Sequence, residues 1–203
     1  MNYALIKVCG MREAGNIREV EVLGPNWLGL IFWPRSSRYV AERPAYLPTK
    51  AKRVGVFVDA DIDQVMQTAE DYALDLIQLH GHESPDYAAR LTKWQVIKAF
   101  NIATSADFEQ TSVYEGIVDY FLFDTKGKAV GGNGEKFDWS VLADYPGETP
   151  FLLSGGIGPD DAERVRNFHH PKCIGIDLNS RFEIAPGLKD AEQLRTFIKQ
   201  VRL

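Results

Sequence analysis

The sequence predicts an α/β protein built as a single (β/α)8 TIM barrel over residues 1–203, and three observations carry that expectation. Eight short runs of nearly continuous apolar character recur along the chain: Ala4 to Val8, Trp27 to Phe32, Val54 to Val58, Leu76 to Leu79, Val96 to Phe100, Tyr120 to Phe123, Phe151 to Leu153 and Cys173 to Leu178. Strands of a parallel sheet read this way because both of their faces are covered. Segments with helical spacing fall between the runs. The length of 203 residues suits one such barrel, and no pronounced linker divides it. A doubly wound open sheet is the alternative arrangement of the same elements.

Taken in order, the first two runs are read as strands. After the second run, Pro44 and Pro48 interrupt Tyr39 to Thr49 and leave room for only a short helix. Ile62 to Tyr72 (IDQVMQTAEDY) carries helical spacing between the third and fourth strands. Ser84 to Leu91 follows the fourth, and Ser84-Pro85 supplies a capping residue and a proline suited to the first helical position. The seventh run ends in Gly155-Gly156, after which Pro159, Asp160 and Asp161 open an amphipathic segment that reaches Phe168. Asp190 starts the last helical segment, which ends at Val201.

Composition narrows the function. The net charge of -5 argues against a nucleic-acid or anionic-membrane surface, so an anionic ligand must be held by local groups. Cys9 and Cys173 form no disulfide framework and no metal-ligand spacing. No run reaches membrane-spanning length and no basic leader is followed by a long apolar stretch, so a cytoplasmic protein is expected.

In a barrel of this kind the chemistry lies at the C-terminal ends of the strands. The polar residues there include Lys7 and Cys9 after the first run, Arg35 and Arg38 after the second, and Asp59 after the third. Gln78 and His80 close the fourth, Asp124 the sixth, and Asp177, Asn179 and Ser180 the eighth. They contain no nucleophile elbow, nucleotide fingerprint or metal cluster, which points to a reaction without cofactor or metal. Gly155 and Gly156 lack Cβ atoms, so their N–H groups can approach an anion closely and a phosphate fits that turn; an ordinary strand-to-helix turn is the plainer reading.

These residues, taken together, resemble a known family. Lys7-Val8-Cys9-Gly10, the stretch Phe32-Trp33-Pro34-Arg35-Ser36-Ser37-Arg38-Tyr39, Val54-Gly55-Val56-Phe57-Val58 and Gln78-Leu79-His80-Gly81 look like phosphoribosylanthranilate isomerase of tryptophan biosynthesis. So do Asp124-Thr125-Lys126, Gly131-Gly132-Asn133-Gly134, Phe137-Asp138-Trp139, Leu153-Ser154-Gly155-Gly156 and Asp177-Leu178-Asn179-Ser180, in the same order along the whole chain.

The resemblance implies an Amadori rearrangement of a phosphoribosyl substrate, with Asp124 as the acid and Cys9 as the base. It assigns Arg38 to the anthranilate carboxylate, and Gly155, Gly156, Asn179 and Ser180 to the phosphate. For these roles the Asp124 pKa must be raised and that of Cys9 lowered toward neutrality. Leu122 and Phe123 before Asp124 and Lys7 beside Cys9 are the residues expected to do this. His80 is left without a catalytic role, Asp177 competes with Asp124 as the acid, and Thr125 to Lys136 reads as a mobile loop over the ligand. A monomer is expected, with a dimer as the alternative. Arg181 departs from the pattern, because the family usually has glycine there. Another phosphosugar isomerase and a non-catalytic phosphosugar-binding barrel are the competing classes, and a second substrate from histidine biosynthesis stays open.

Overall fold

A computed structural model of the protein describes residues 5–124 and 139–202. Its centre is a closed barrel of parallel strands in sequence order: β1 (Leu5–Val8), β2 (Trp27–Ile31), β3 (Lys52–Phe57), β4 (Leu76–Leu79), β5 (Gln95–Asn101), β6 (Tyr120–Asp124), β7 (Phe151–Ser154) and β8 (Cys173–Leu178). The barrel closes between β1 and β8, where Lys7 pairs with Asp177 and Val8 with Leu178. The open-sheet alternative is thereby set aside.

Strand alternation sends one set of side chains into the barrel and the other outward. Trp27, Val54, Leu76, Ile97, Leu122 and Leu152 fill the interior in a separate apolar cluster. Each such side chain contributes about 1.5–3 kcal/mol through removal from water. The outward set includes Phe121, Phe123 and Phe151, which meet Tyr145 with ring centroids 6.2, 5.0 and 5.5 Å apart.

The helices form where the apolar spacing and the caps agree. In α2 (Ile62–Asp71) Asp61 accepts hydrogen bonds from the Asp63 and Gln64 N–H groups. In α3 (Pro85–Ala89) Ser84 caps the Tyr87 N–H, and Pro85 stands in the first turn. After β7, a 3₁₀ turn at Pro159–Asp161 leads into α4 (Ala162–Asn167). In α5 (Ala191–Val201) Asp190 caps Glu192 and Gln193, a contribution of about 1 kcal/mol. Leu194, Phe197, Ile198 and Val201 bury one face of α5.

Three features differ from the expectation. A helix α1 (Ala14–Glu21) follows β1; its buried face includes Asn16 and Glu21 beside Ile17 and Val20, so polar residues break the apolar stripe that marks a helix. The segment from Tyr39 to Thr49 holds no helix. Its continuation is organised by Glu21, whose Oε1 accepts from the N–H groups of Thr49, Lys50 and Ala51 at 2.7, 2.7 and 3.1 Å. Finally, a hairpin of β9 (Glu183–Ala185) and β10 (Leu188–Lys189) stands between β8 and α5. Strands of three and two residues are too short to give a period.

Among the described residues, no helix is long and apolar enough to cross a membrane. The stretch Thr125 to Lys136, read from sequence as a loop over the ligand, lies outside the described residues.

Candidate active site

Cys9, Arg38, Asp124, Gly155, Gly156, Asn179 and Ser180 all line one cavity of about 300 Å³ at the C-terminal end of the barrel. Residues far apart in sequence meet there because parallel strands all end on the same rim. A second recess, of about 520 Å³, lies beside Trp139, Asp160 and Arg164, away from these residues.

Cys9 follows β1 and is buried, with its N–H donating to the Leu178 carbonyl at 2.8 Å. Gly29 on β2 makes space for it: a Cβ at that position would lie 2.7 Å from the Cys9 Sγ. Lys7, two residues earlier and therefore on the same strand face, is wholly buried. Its Nζ donates to Asp177 Oδ1 at 2.7 Å, and the Ser154 hydroxyl donates to Asp177 Oδ2 at 3.2 Å.

This arrangement corrects the expected ionisation of Cys9. Burial pushes the thiol pKa above its ordinary value and the Asp177 carboxylate adds to the rise, while Lys7 and Lys189 only partly oppose it. Lys7 does lie beside Cys9, but its ammonium is shared with Asp177. Burial alone would lower the Lys7 pKa; attraction to Asp177 and Cys9 outweighs that and raises it.

Asp124 ends β6 opposite Asn101 on β5 and Ser154 on β7. It is buried, and the two residues before it, Leu122 and Phe123, are fully enclosed. Phe123 packs on Phe108, Tyr145 and Phe151 with centroids 5.4, 5.0 and 4.7 Å away. The strand that carries the carboxylate is therefore backed by a dry aromatic wall. Asp177, the competing acid, is instead committed to the Lys7 ammonium. His80 lies with Nδ1 2.8 Å from the Gln78 amide nitrogen, on the wall that β4 provides.

On the rim, Arg38 donates through Nε to both carboxylate oxygens of Glu183, at 2.8 and 3.0 Å, and through Nη2 at 2.5 Å. Lys189 donates to the same carboxylate at 2.6 Å and to Asn179 Oδ1 at 2.7 Å. Sequence reasoning passed over Lys189 and gave Glu183 no role. Glu183 and Arg38 are separated by 145 residues, and no local pattern joins them. Gly155 and Gly156 take φ of 94° and 67°, left-handed values that suit glycine, and both line the cavity. Arg181 lines the same side, its Cβ and Cγ 3.6 and 3.8 Å from where a Cβ of Gly158 would stand.

An eight-stranded parallel barrel whose mouth gathers a cysteine, a buried aspartate, an arginine and a glycine turn has the layout of a barrel enzyme, with its polar residues at the C-terminal rim. The comparisons with known proteins make this particular. A family model described as N-(5'-phosphoribosyl)anthranilate (PRA) isomerase matches residues 6–200, and the chain belongs to that family, which makes it an isomerase. It is 56% identical over 205 residues to N-(5'-phosphoribosyl)anthranilate isomerase of Parabacteroides distasonis, covering 97% of this chain and 93% of that protein. The fold is similar to the crystal structure of phosphoribosyl anthranilate isomerase from Thermotoga maritima, at a TM-score of 0.84 and 28% identity, with 98% of each chain covered. It is also similar to a phosphoribosyl anthranilate isomerase in complex with reduced 1-(o-carboxyphenylamino)-1-deoxyribulose 5-phosphate, at a TM-score of 0.81 and 26% identity, again with 98% of each chain covered.

Proposed function

We propose that the barrel mouth binds N-(5'-phosphoribosyl)anthranilate and converts it to 1-(2-carboxyphenylamino)-1-deoxyribulose 5-phosphate, with Asp124 as general acid and Cys9 as general base. One observation carries this reading: an acid and a base on β6 and β1 wall the same cavity, with a cation at one part of its rim and a backbone anion turn at another. A ligand with a carboxylate at one end and a phosphate at the other matches that distribution of charge.

The chemistry follows from the bonds that must change. Asp124 gives a proton to the furanose ring oxygen as the bond from C1′ to that oxygen breaks, and the aniline nitrogen lone pair forms the Schiff base. Cys9, as thiolate, then takes the proton from C2′. The C2′ electron pair forms the enolamine, which tautomerises to the amino ketone. Asp124 is buried at the mouth, on the inward face of β6 that it shares with Leu122. For Cys9, Lys7 stabilises the thiolate against the opposing effects of burial and Asp177.

Arg38 offers a planar fork to the anthranilate carboxylate. The N–H groups near Gly155 and Gly156, with Asn179 and Ser180 across the rim, receive the phosphate.

The test is the fluorescence decay of freshly generated phosphoribosylanthranilate, blanked against its spontaneous hydrolysis. Wild type should accelerate product formation, and folded Cys9→Ala and Asp124→Asn should each lose about 10²–10⁴-fold in kcat. Wild type that binds the reduced product analogue yet does nothing above the blank would make the barrel a binding protein.

A further inference from the structure

We propose that Glu183 and Lys189 on the β9–β10 hairpin position Arg38 for the substrate carboxylate, and so set the preference for a carboxylated aromatic ring. The inference rests on the assignment of Arg38 made above and names the residues that let it work.

An arginine has five N–H donors in a rigid fork. Glu183 occupies the Nε–H and one Nη2–H, since the contacts run from Nε to both oxygens and from Nη2 to Oε2. Three donors on the remaining side stay available for a second carboxylate. Glu183 thus orients the fork without filling it.

Charge decides whether a carboxylate would come. Arg38 and Glu183 alone sum to zero, and an incoming anion would meet the Glu183 charge at close range. Lys189, whose side chain is fully buried, adds a second cation 2.6 Å from Oε1, the oxygen to which Arg38 Nε also donates. With Lys189 protonated, the cluster carries one net positive charge next to the cavity; burial lowers the Lys189 pKa from its high ordinary value and the Glu183 carboxylate partly opposes this. Burial works against the Glu183 carboxylate, yet Arg38, Lys189 and the Gly187 N–H hold its pKa below the usual range, so it carries its charge at neutral pH.

The hairpin is itself built for a fixed position. Asn16 of α1, buried beneath it, grips the Lys189 backbone from both sides: Nδ2 donates to the Lys189 carbonyl at 2.9 Å, and Oδ1 accepts from its N–H at 2.7 Å. Arg12 bridges the Ser37 and Pro186 carbonyls at 3.3 and 3.4 Å, which ties the hairpin tip to the loop that carries Arg38. A hairpin that merely stapled the rim would need no buried ammonium. Taking a charge from water is costly, and it persists here where it balances a carboxylate that faces an arginine.

The experiment is calorimetric binding of two probes to wild type, Glu183→Gln, Glu183→Asp and Lys189→Met. One probe is reduced 1-(o-carboxyphenylamino)-1-deoxyribulose 5-phosphate, and the other is its phenylamino counterpart without the carboxyl group. Wild type should favour the carboxylated probe by roughly tenfold or more, as for a charge-assisted hydrogen-bonded pair. Glu183→Gln and Glu183→Asp should each lower that ratio by about fivefold or more while the carboxyl-free probe binds within about threefold of wild type, and Lys189→Met, whose ammonium also holds Asn179 of the phosphate site, should lower the ratio even where both probes weaken. Glu183→Asp covers the case in which Glu183→Gln does not fold. An unchanged ratio in the folded variants, or equal weakening of both probes, makes the hairpin purely structural and overturns the inference. No preference in wild type would instead remove Arg38 from the carboxylate site, and the inference with it, while leaving the roles of Cys9 and Asp124 to their own test.

Discussion

Around β1, β2 and β8 the barrel mouth is lined by ion pairs, Lys7 with Asp177 and Arg38 with Glu183 and Lys189. Around β6 and β7 it is lined by Asp124 on an aromatic wall and by a turn of bare backbone. The first region sets its chemistry through charges brought from far along the chain. The second does so through the residues that immediately precede the functional ones. The cysteine and the aspartate proposed as base and acid thus sit in different surroundings on one rim, and substitutions should affect the two regions differently.

The largest expected effect is on the charged side. Lys7→Met takes the ammonium from the buried Asp177 carboxylate, to which the Ser154 hydroxyl still donates, and stability should fall by about 3–5 kcal/mol. Denaturant unfolding checks this. A loss below about 1 kcal/mol would mean that water reaches Asp177 and that the charged region is less dry than its burial implies.

Gly29→Ala sharpens the comparison within the same region without altering any charge. Its Cβ would stand 2.7 Å from the Cys9 sulfur, so the thiol must move. A shift of this kind should cost about 10²-fold in kcat, with KM changed far less. Steady-state kinetics would show equal changes in both constants if the strand relaxes instead.

The smallest effect lies away from the mouth. Glu21→Gln should cost about 1–2 kcal/mol and leave kcat untouched, because Glu21 holds the backbone of Thr49 to Ala51. Although burial opposes it, hydrogen bonds from Tyr46 and these N–H groups depress the Glu21 pKa. The unfolded chain therefore takes up the proton first as pH falls. The stabilisation is complete above the ordinary carboxylate pKa and is lost as pH drops through the folded value. Wild type should lose stability more steeply than Glu21→Gln in that acid window, as followed by thermal unfolding.

What the sequence revealed follows the same division. The eight strands were legible because each is a local apolar run, and α2, α3 and α5 because spacing and cap stand together. Asp124 with Leu122 and Phe123, and Gly155 with Gly156, could be read in place for the same reason. Helix α1 was hidden by buried Asn16 and Glu21; the segment that Pro44 and Pro48 interrupt holds no helix at all, and the backbone that follows it is held by a carboxylate on another element. At the site, Cys9 and Arg38 came from the ordered motifs, but their partners did not. Lys7 and Asp177 lie 170 residues apart, and only closure of the barrel brings them together. The expected fall in the Cys9 pKa failed on this point: Lys7 was visible next to it, whereas Asp177 and the depth of burial were not.

The claim that the charged region and burial govern the base is tested most directly by kcat/KM against pH, which reports the ionisations of the free enzyme. With burial and Asp177 prevailing over Lys7, the limb assigned to Cys9 should still be rising as pH passes the ordinary thiol value of about 8.5. A plateau already reached at neutral pH would show a thiolate stabilised beyond what Lys7 and Lys189 provide, and would contradict the account.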